Sequence, residues 1–210
     1  MVLLRGIMEK LGRFFSKTWQ EKLLVFYRLF YAPIFRFKYG HIGKSSYIIK
    51  PLIVTNRSCL FMESNVSIWW GARIECITQW NGKVFSPKLK IGSNCAFNQD
   101  LHMTCADKIT IHDNVVIAAR VTITDINHIP DNIGKSILDC SLEVAPVAIF
   151  ENVFIGTNAV IMPGVTIGRN AVVGANAVVT KNVPPNCMVV GIPARIIKRY
   201  NKERELWELV

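Results

Sequence analysis

The chain has 210 residues, half of them apolar, which is long enough to bury a sizeable core and too apolar for intrinsic disorder. Its formal charge of +10 is carried by the two ends: residues 1–50 hold ten Lys or Arg against two Glu, residues 51–180 nine against ten acidic side chains, and residues 181–210 six against three. Separate basic ends suit two anionic partners rather than one continuous nucleic-acid groove. No helix-turn-helix, zinc-finger or base-stacking motif accompanies them, so the reading is no nucleic acid.

Residues 1–41 read as a basic, amphipathic helical leader. Leu4, Ile7, Met8, Leu11, Phe14, Phe15 and Trp19 recur at helical spacing, with Arg5, Lys10, Arg13 and Lys17 between them. No small-residue cleavage site follows a clean apolar core, which argues against a signal peptide. The longest nearly apolar stretch, Leu23 to Phe35, is interrupted by Arg28 and is too short to cross a bilayer. The expected location is therefore cytoplasmic. Cations interleaved with Phe26, Phe30 and Phe35 suit a helix lying on an anionic membrane surface, at the inner face of the cytoplasmic membrane. A helix folded over the open end of the next domain would leave the same pattern.

From residue 42 to 193 the dominant feature is a period of six. Ile149, Ile155, Ile161, Ile167, Val173 and Val179 recur without a slip, and Val153, Ala159, Val165, Ala171, Ala177 and Val183 follow each of them at a fixed offset. A helix needs a period of 3.6 and a half-buried strand a period of two. Six fits a short strand plus a corner, with three such units closing one triangular coil. A single coil cannot bury its apolar face, so coils stack into an all-β solenoid, a parallel β-helix of hexapeptide repeats. Upstream, Met62, Ile68 and Ile74, then Ile91, Phe97 and Met103, then Ile111, Ile117 and Ile123 keep the same step. Two excursions interrupt it: residues 76–88, with Trp80 and the turn pair Asn81-Gly82, and residues 129–146, which begin immediately after His128. Long loops in compact domains are commonly functional. Pro184-Pro185 stops the repeat, and residues 194–210 are expected to form a short C-terminal helix. The six cysteines show no C-x-x-C pair and read as free thiols in small buried slots rather than disulfides.

At the repeat, at Asp125-Ile126-Asn127-His128 and at Gly191-Ile192-Pro193-Ala194-Arg195, the chain resembles the hexapeptide-repeat acyltransferases, most closely the bacterial polysaccharide O-acetyltransferase branch. The resemblance covers residues 42 to about 200. It implies a left-handed coil, against the usual right-handed crossover rule. It also implies a homotrimer with active sites at subunit interfaces, acetyl-CoA as co-substrate and no metal. The expected activity is transfer of an acetyl group to a sugar hydroxyl of a surface polysaccharide or its precursor. N-acetylation of an amino sugar nucleotide and a noncatalytic β-helix scaffold are the alternatives.

An alcohol is a weak nucleophile at neutral pH, so the reaction needs a base, and histidine, with a reference pKa of about 6.5, suits it. His112 occupies a turn slot and His41 the leader boundary. His128 stands where the coil gives way to the long excursion and, by the resemblance, is the general base. Asp125 either orients that imidazole or caps a turn. The resemblance also carries acceptor-binding roles to Asn98, His102 and Asn127. Asn98 has a plain corner-residue alternative. The cofactor set it implies is Thr157, Ala175, Thr180, Lys181, Arg195 and Lys198, the small residues letting pantetheine lie near the backbone and the cations meeting CoA phosphates. Asp100, Phe154 and Ile126 depart from the residues usual at those places. With Ile126 where a first histidine often stands, a zinc hydratase on the same fold, which needs three histidine ligands, is excluded.

Overall fold

The inward residues of each hexapeptide fall into three vertical stacks, and these stacks are the core. In the computed structural model, which describes residues 18–130, 134 and 136–210, strands of two to four residues build three parallel sheets, here faces A, B and C. Face A aligns Ile42, Met62, Ile91, Ile111, Ile149 and Ile167. Face B aligns Ile48, Ile68, Phe97, Ile117, Ile155, Val173 and Val189. Face C aligns Val54, Ile74, Met103, Ile123, Ile161 and Val179. All of them belong to one continuous buried cluster. Burying each such side chain contributes about 1.5–3 kcal/mol.

Between coils the backbone turns through asparagines in the left-handed region, where the short amide side chain lowers the strain of positive φ. Asn152, Asn158, Asn170, Asn176 and Asn186 have φ between 57° and 61°. Their side chains form ladders from coil to coil, Asn152 to Asn170 to Asn186 and Asn158 to Asn176, at 2.9–3.0 Å. Asn152, Asn158 and Asn170 each donate to the asparagine one coil on, so substituting Asn170 breaks ladder contacts on both sides.

The irregularities of the repeat all occur at one edge. Steps from A to B and from B to C are six residues throughout the coils that carry them, as in Ile91 to Phe97 to Met103. Steps from C to A vary: eight residues from Val54 to Met62, 17 from Ile74 to Ile91, eight from Met103 to Ile111, 26 from Ile123 to Ile149, then six from Ile161 to Ile167. The 17-residue step holds an antiparallel hairpin, Gln79–Trp80 with Lys83–Val84. Its turn residues Asn81 and Gly82 have φ of 43° and 77°, the two left-handed residues that a tight hairpin requires. The 26-residue step holds a second hairpin, Ile126–Ile129 with Ser141–Val144. Asp131 and Lys135 of this excursion lie outside the described residues.

At one end of the solenoid lies helix α1, Trp19–Phe35. A capping box opens it: the Thr18 hydroxyl accepts from Glu21 N–H at 3.3 Å, and the Glu21 carboxylate accepts from Thr18 N–H at 2.7 Å. Tyr27, Tyr31 and Phe35 form its inner face and pack against the first coil. Tyr27 lies 6.3 Å from the Tyr47 ring, and the buried Tyr31 and Tyr39 hydroxyls are 2.9 Å apart. The part of the leader carrying Leu4 to Phe15 lies outside the described residues.

The C-terminal helix is not there. Residues Arg195–Asn201 form a strand antiparallel to Cys187–Val190, and Leu206–Leu209 a further antiparallel strand. Face B ends on Cys187–Val190 with open backbone groups, and pairing that edge outweighs the helical propensity of Glu203-Arg204-Glu205. The turn is set by Asn201, whose side-chain oxygen accepts from Glu203 N–H at 2.9 Å and Arg204 N–H at 3.1 Å. Tyr200 and Trp207 meet edge to face across the two strands, 5.5 Å apart. All six cysteines are free, and all but Cys59 are buried.

Candidate active site

The two hairpins leave the same edge of the prism with one tight corner, Ala106-Asp107, between them. They converge over it: Trp80 Nε1 donates to the Cys140 carbonyl at 2.9 Å, and Asn81 Nδ2 to the Leu138 and Cys140 carbonyls at 2.8 and 3.0 Å. Phe85, Ala106 and Leu142 make a small second core there, with Ile77, Trp80, Ile126 and Val144 packed against it. These contacts hold His128, which pairs with Leu142 in the second hairpin and remains exposed. The Trp80 ring meets the His128 imidazole edge to face, with centroids 5.1 Å apart and planes at 71°, a geometry that restricts the ring without consuming either nitrogen. Asn127, opposite Glu143, is exposed beside it.

Asp125 is fully buried beneath the hairpins. Its two oxygens accept from the N–H groups of Ala106 and Asp107, at 2.8 and 2.9 Å. It caps a turn, though the turn belongs to the preceding coil. No hydrogen bond joins Asp125 to His128 among the described residues, so any effect on the imidazole runs through the backbone that the two share.

Face C presents a second histidine. His102 stands opposite Arg73 and Thr122, and Thr104 opposite Glu75 and Thr124. His102 Nε2 lies 3.2 Å from Thr104 Oγ1 and 3.7 Å from Glu75 Oε2. The Arg73 guanidinium, hydrogen-bonded to Glu75, holds that carboxyl below the usual range, with His102 adding to the effect and partial burial opposing it. His102 is thus tethered by a carboxylate and a hydroxyl, whereas His128 has both nitrogens free of hydrogen bonds among the described residues. His112 stacks on Phe150 at 4.8 Å, and His41 lies 3.8 Å from Glu63; both belong to face A.

Of the remaining candidates, Asn98, Thr157, Ala175, Thr180 and Lys181 occupy the two edges of face C, and Arg195 and Lys198 lie on the strand that extends face B. Where the chain enters face C, Asn98, Thr157 and Ala175 stand on one edge, Asn98 and Ala175 exposed and Thr157 half-buried. Gly156 and Gly174 let successive coils approach there: a Cβ at Gly156 would lie 2.6 Å from Ala175 N. Where the chain leaves face C, Thr180 and Lys181 follow Val179. Lys181 and Arg195 are brought together, 14 residues apart in sequence, in a groove of about 350 Å³ whose walls include Asn182 and Ala194. Lys198 lies farther along the strand, opposite Met188, and is not among the walls of that groove.

Trp80, Arg73 and Glu75 were missed as site residues by the sequence reading. Arg73, Glu75, His102 and Thr104 flank the inward Ile74 and Met103, so aligning the coils on those two residues puts all four on one outer face. Nothing local marks Trp80 as a neighbour of His128.

Residues 146–181 match the family model described as bacterial transferase hexapeptide (six repeats). The chain is 32% identical over 167 residues to a putative lipopolysaccharide biosynthesis O-acetyl transferase, WbbJ, of Escherichia coli K12, an alignment covering 75% of this chain and 81% of that protein. A maltose O-acetyltransferase structure from Clostridium difficile 630 is 30% identical, with a TM-score of 0.58, over 96% of this chain and 88% of the other. A hexapeptide-repeat-containing acetyltransferase from Vibrio cholerae, solved with acetyl-coenzyme A, is 25% identical, with a TM-score of 0.54, over 87% of this chain and 85% of the other.

Proposed function

The chain belongs to the hexapeptide-repeat acetyltransferase family and is an acetyl-CoA-dependent acetyltransferase, and we propose that it acetylates a sugar hydroxyl of a bacterial surface polysaccharide or its precursor. The observation that carries this reading is His128: exposed, outside the coil, held by the edge of Trp80 and with its ring nitrogens free of hydrogen bonds among the described residues. In this mechanism a nitrogen of His128 takes the acceptor hydroxyl's proton as the oxygen attacks the thioester carbonyl. The C–S bond then breaks, CoA leaves as the thiolate, and the proton passes from the imidazole to it. Backbone N–H groups along the edge stabilise the oxyanion. Cys76 and Cys95 are unsuited to forming an acyl-cysteine, because burial pushes Cys76 up to about 12 and Cys95 up to about 11, leaving little thiolate at neutral pH.

Asn98, Thr157 and Ala175 lie on one edge of face C and His128, Thr180 and Lys181 on the other. A homotrimer would set the edge of one subunit against the opposite edge of its neighbour and complete the site between them. The small side chains of Thr157 and Ala175 fit pantetheine, and Lys181 with Arg195 fits the CoA phosphates. Acetyl-CoA as donor favours a cytoplasmic location.

Labelled acetyl-CoA supplied with cell-surface glycan extract tests the acceptor. Alkali-labile label in a sugar is the expected product. Alkali-resistant label would assign an amino sugar instead, and an unlabelled glycan fraction would refute the proposal. Replacing Lys181 and Arg195 together by alanine should raise the Michaelis constant for acetyl-CoA by about 10–100-fold, two charge-assisted contacts weakened by solvent screening, and change that for the acceptor much less. An unchanged constant for acetyl-CoA would remove both residues from the phosphate site.

A further inference from the structure

Helix α1 has two unlike faces. Tyr27, Tyr31 and Phe35 are turned to the first coil, so the helix does cap the solenoid. The flank next to it exposes Trp19, Phe26, Phe30 and Ile34, followed by Phe37 in the next turn, with Trp19 78% and Phe37 76% accessible. Phe26 and Phe30 lie side by side, 5.3 Å between ring centroids. Water does not favour such a strip, and contiguous exposed apolar surface marks a docking face.

Beside that strip, two adjoining clefts open between α1 and the first coil. The larger, about 350 Å³, has Arg28, Arg36 and Lys44 in its walls together with Leu29 and Pro33. The smaller, about 230 Å³, shares Arg28 and adds the polar side chains of Tyr47 and Ser67. Among the described residues no carboxylate lines either one. Among residues 18–50 the sole acidic side chain is Glu21, set against Lys22, Arg28, Arg36, Lys38, Lys44 and Lys50, and Glu21 caps Thr18 at the far end of the helix.

We propose that this end of the molecule docks on an anionic bilayer, the Arg28–Arg36–Lys44 cleft taking a lipid phosphate while Trp19, Phe26, Phe30, Ile34 and Phe37 enter the acyl boundary. A free phosphate ligand accounts for the cations but leaves the apolar strip in water. An apolar protein partner accounts for the strip but leaves the cations without counter-charges. A bilayer surface supplies phosphate for the cations and hydrocarbon for the strip together. Among the described residues no helix is long and apolar enough to cross a membrane. Capping the coil and meeting the membrane use different side chains of one helix and coexist.

Sedimentation of the full chain with phosphatidylglycerol–phosphatidylcholine vesicles tests this, with pure phosphatidylcholine vesicles as the second arm. The full chain should pellet with the anionic vesicles and stay in solution with the neutral ones. Reversing Arg28, Arg36 and Lys44 to glutamate should lower the partition coefficient about 100-fold or more, at roughly a fivefold loss per cation removed from the surface. Phe26→Ser with Phe30→Ser should also weaken it, while melting temperature stays at the parent value. If the charge reversal unfolds the chain, Arg36→Gln with Lys44→Gln is the milder test, with about a 20-fold loss expected. Free glycerol phosphate should not release the chain at matched ionic strength; release would make the cleft a soluble-phosphate site and overturn the proposal. So would a parent chain that remains in solution, equal pelleting on neutral vesicles, or folded variants that pellet like the parent.

Discussion

Replacing His128 by alanine should lower turnover about 10²–10⁴-fold while the Michaelis constant for acetyl-CoA changes less than about twofold, since a general base acts in the transition state and not in donor binding. The split between the two constants is the informative part. His128 sits on the second hairpin and is not among the walls of the Lys181–Arg195 groove, so its loss should leave donor binding intact. Trp80→Ala provides a graded comparison. It removes the edge contact at 5.1 Å and the hydrogen bond to Cys140, freeing the imidazole to rotate without deleting it, and should cost turnover less than His128→Ala does. A His128→Ala enzyme turning over within about threefold of the parent would remove His128 from the mechanism.

The largest effect on stability should come from Asp125→Ala. The carboxylate is fully buried and accepts from two backbone N–H groups. Removing it leaves both donors without partners under the hairpins, at about 1–3 kcal/mol each, or roughly 2–6 kcal/mol in total. For a chain of this size that lowers the melting temperature by about 2–4 °C per kcal/mol. Turnover should fall as well, because Ile126–Ile129 starts immediately after Asp125 and carries His128. A melting temperature unchanged by Asp125→Ala would show that the two N–H contacts do not anchor the corner. Melting and turnover falling together would identify Asp125 as a positioning residue.

The coil itself was legible in the order of residues because the stacks at Ile149, Ile155 and Ile161 repeat a unit that closes on itself every three strands. Each inward position meets its counterpart one coil away, and that contact is local in the solenoid whatever the length of the step between them. Interruption of the repeat around Trp80 and after His128 was equally visible. That both interruptions leave one edge also follows from the sequence once the inward residues are aligned, because only the steps from face C to face A change length.

What the order of residues could not supply were pairings set by open surface. Residues Glu203 to Glu205 carry helical propensity, and only the unpaired edge of Cys187–Val190 turns the segment into strands, since unsatisfied backbone groups in a sheet cost more than a weak propensity contributes. Trp80 meets His128 because two hairpins, 48 residues apart in the chain, cross over one buried carboxylate. The leader's pattern of cations and aromatics fitted a cap and a membrane face equally. Tertiary packing divided it, burying Tyr27, Tyr31 and Phe35 on the coil and leaving Phe26, Phe30 and Ile34 outside. Period and composition determine the solenoid, which is built from contacts between equivalent positions. The site and the docking face are built from contacts between inequivalent ones, and those exist only after the coils have stacked.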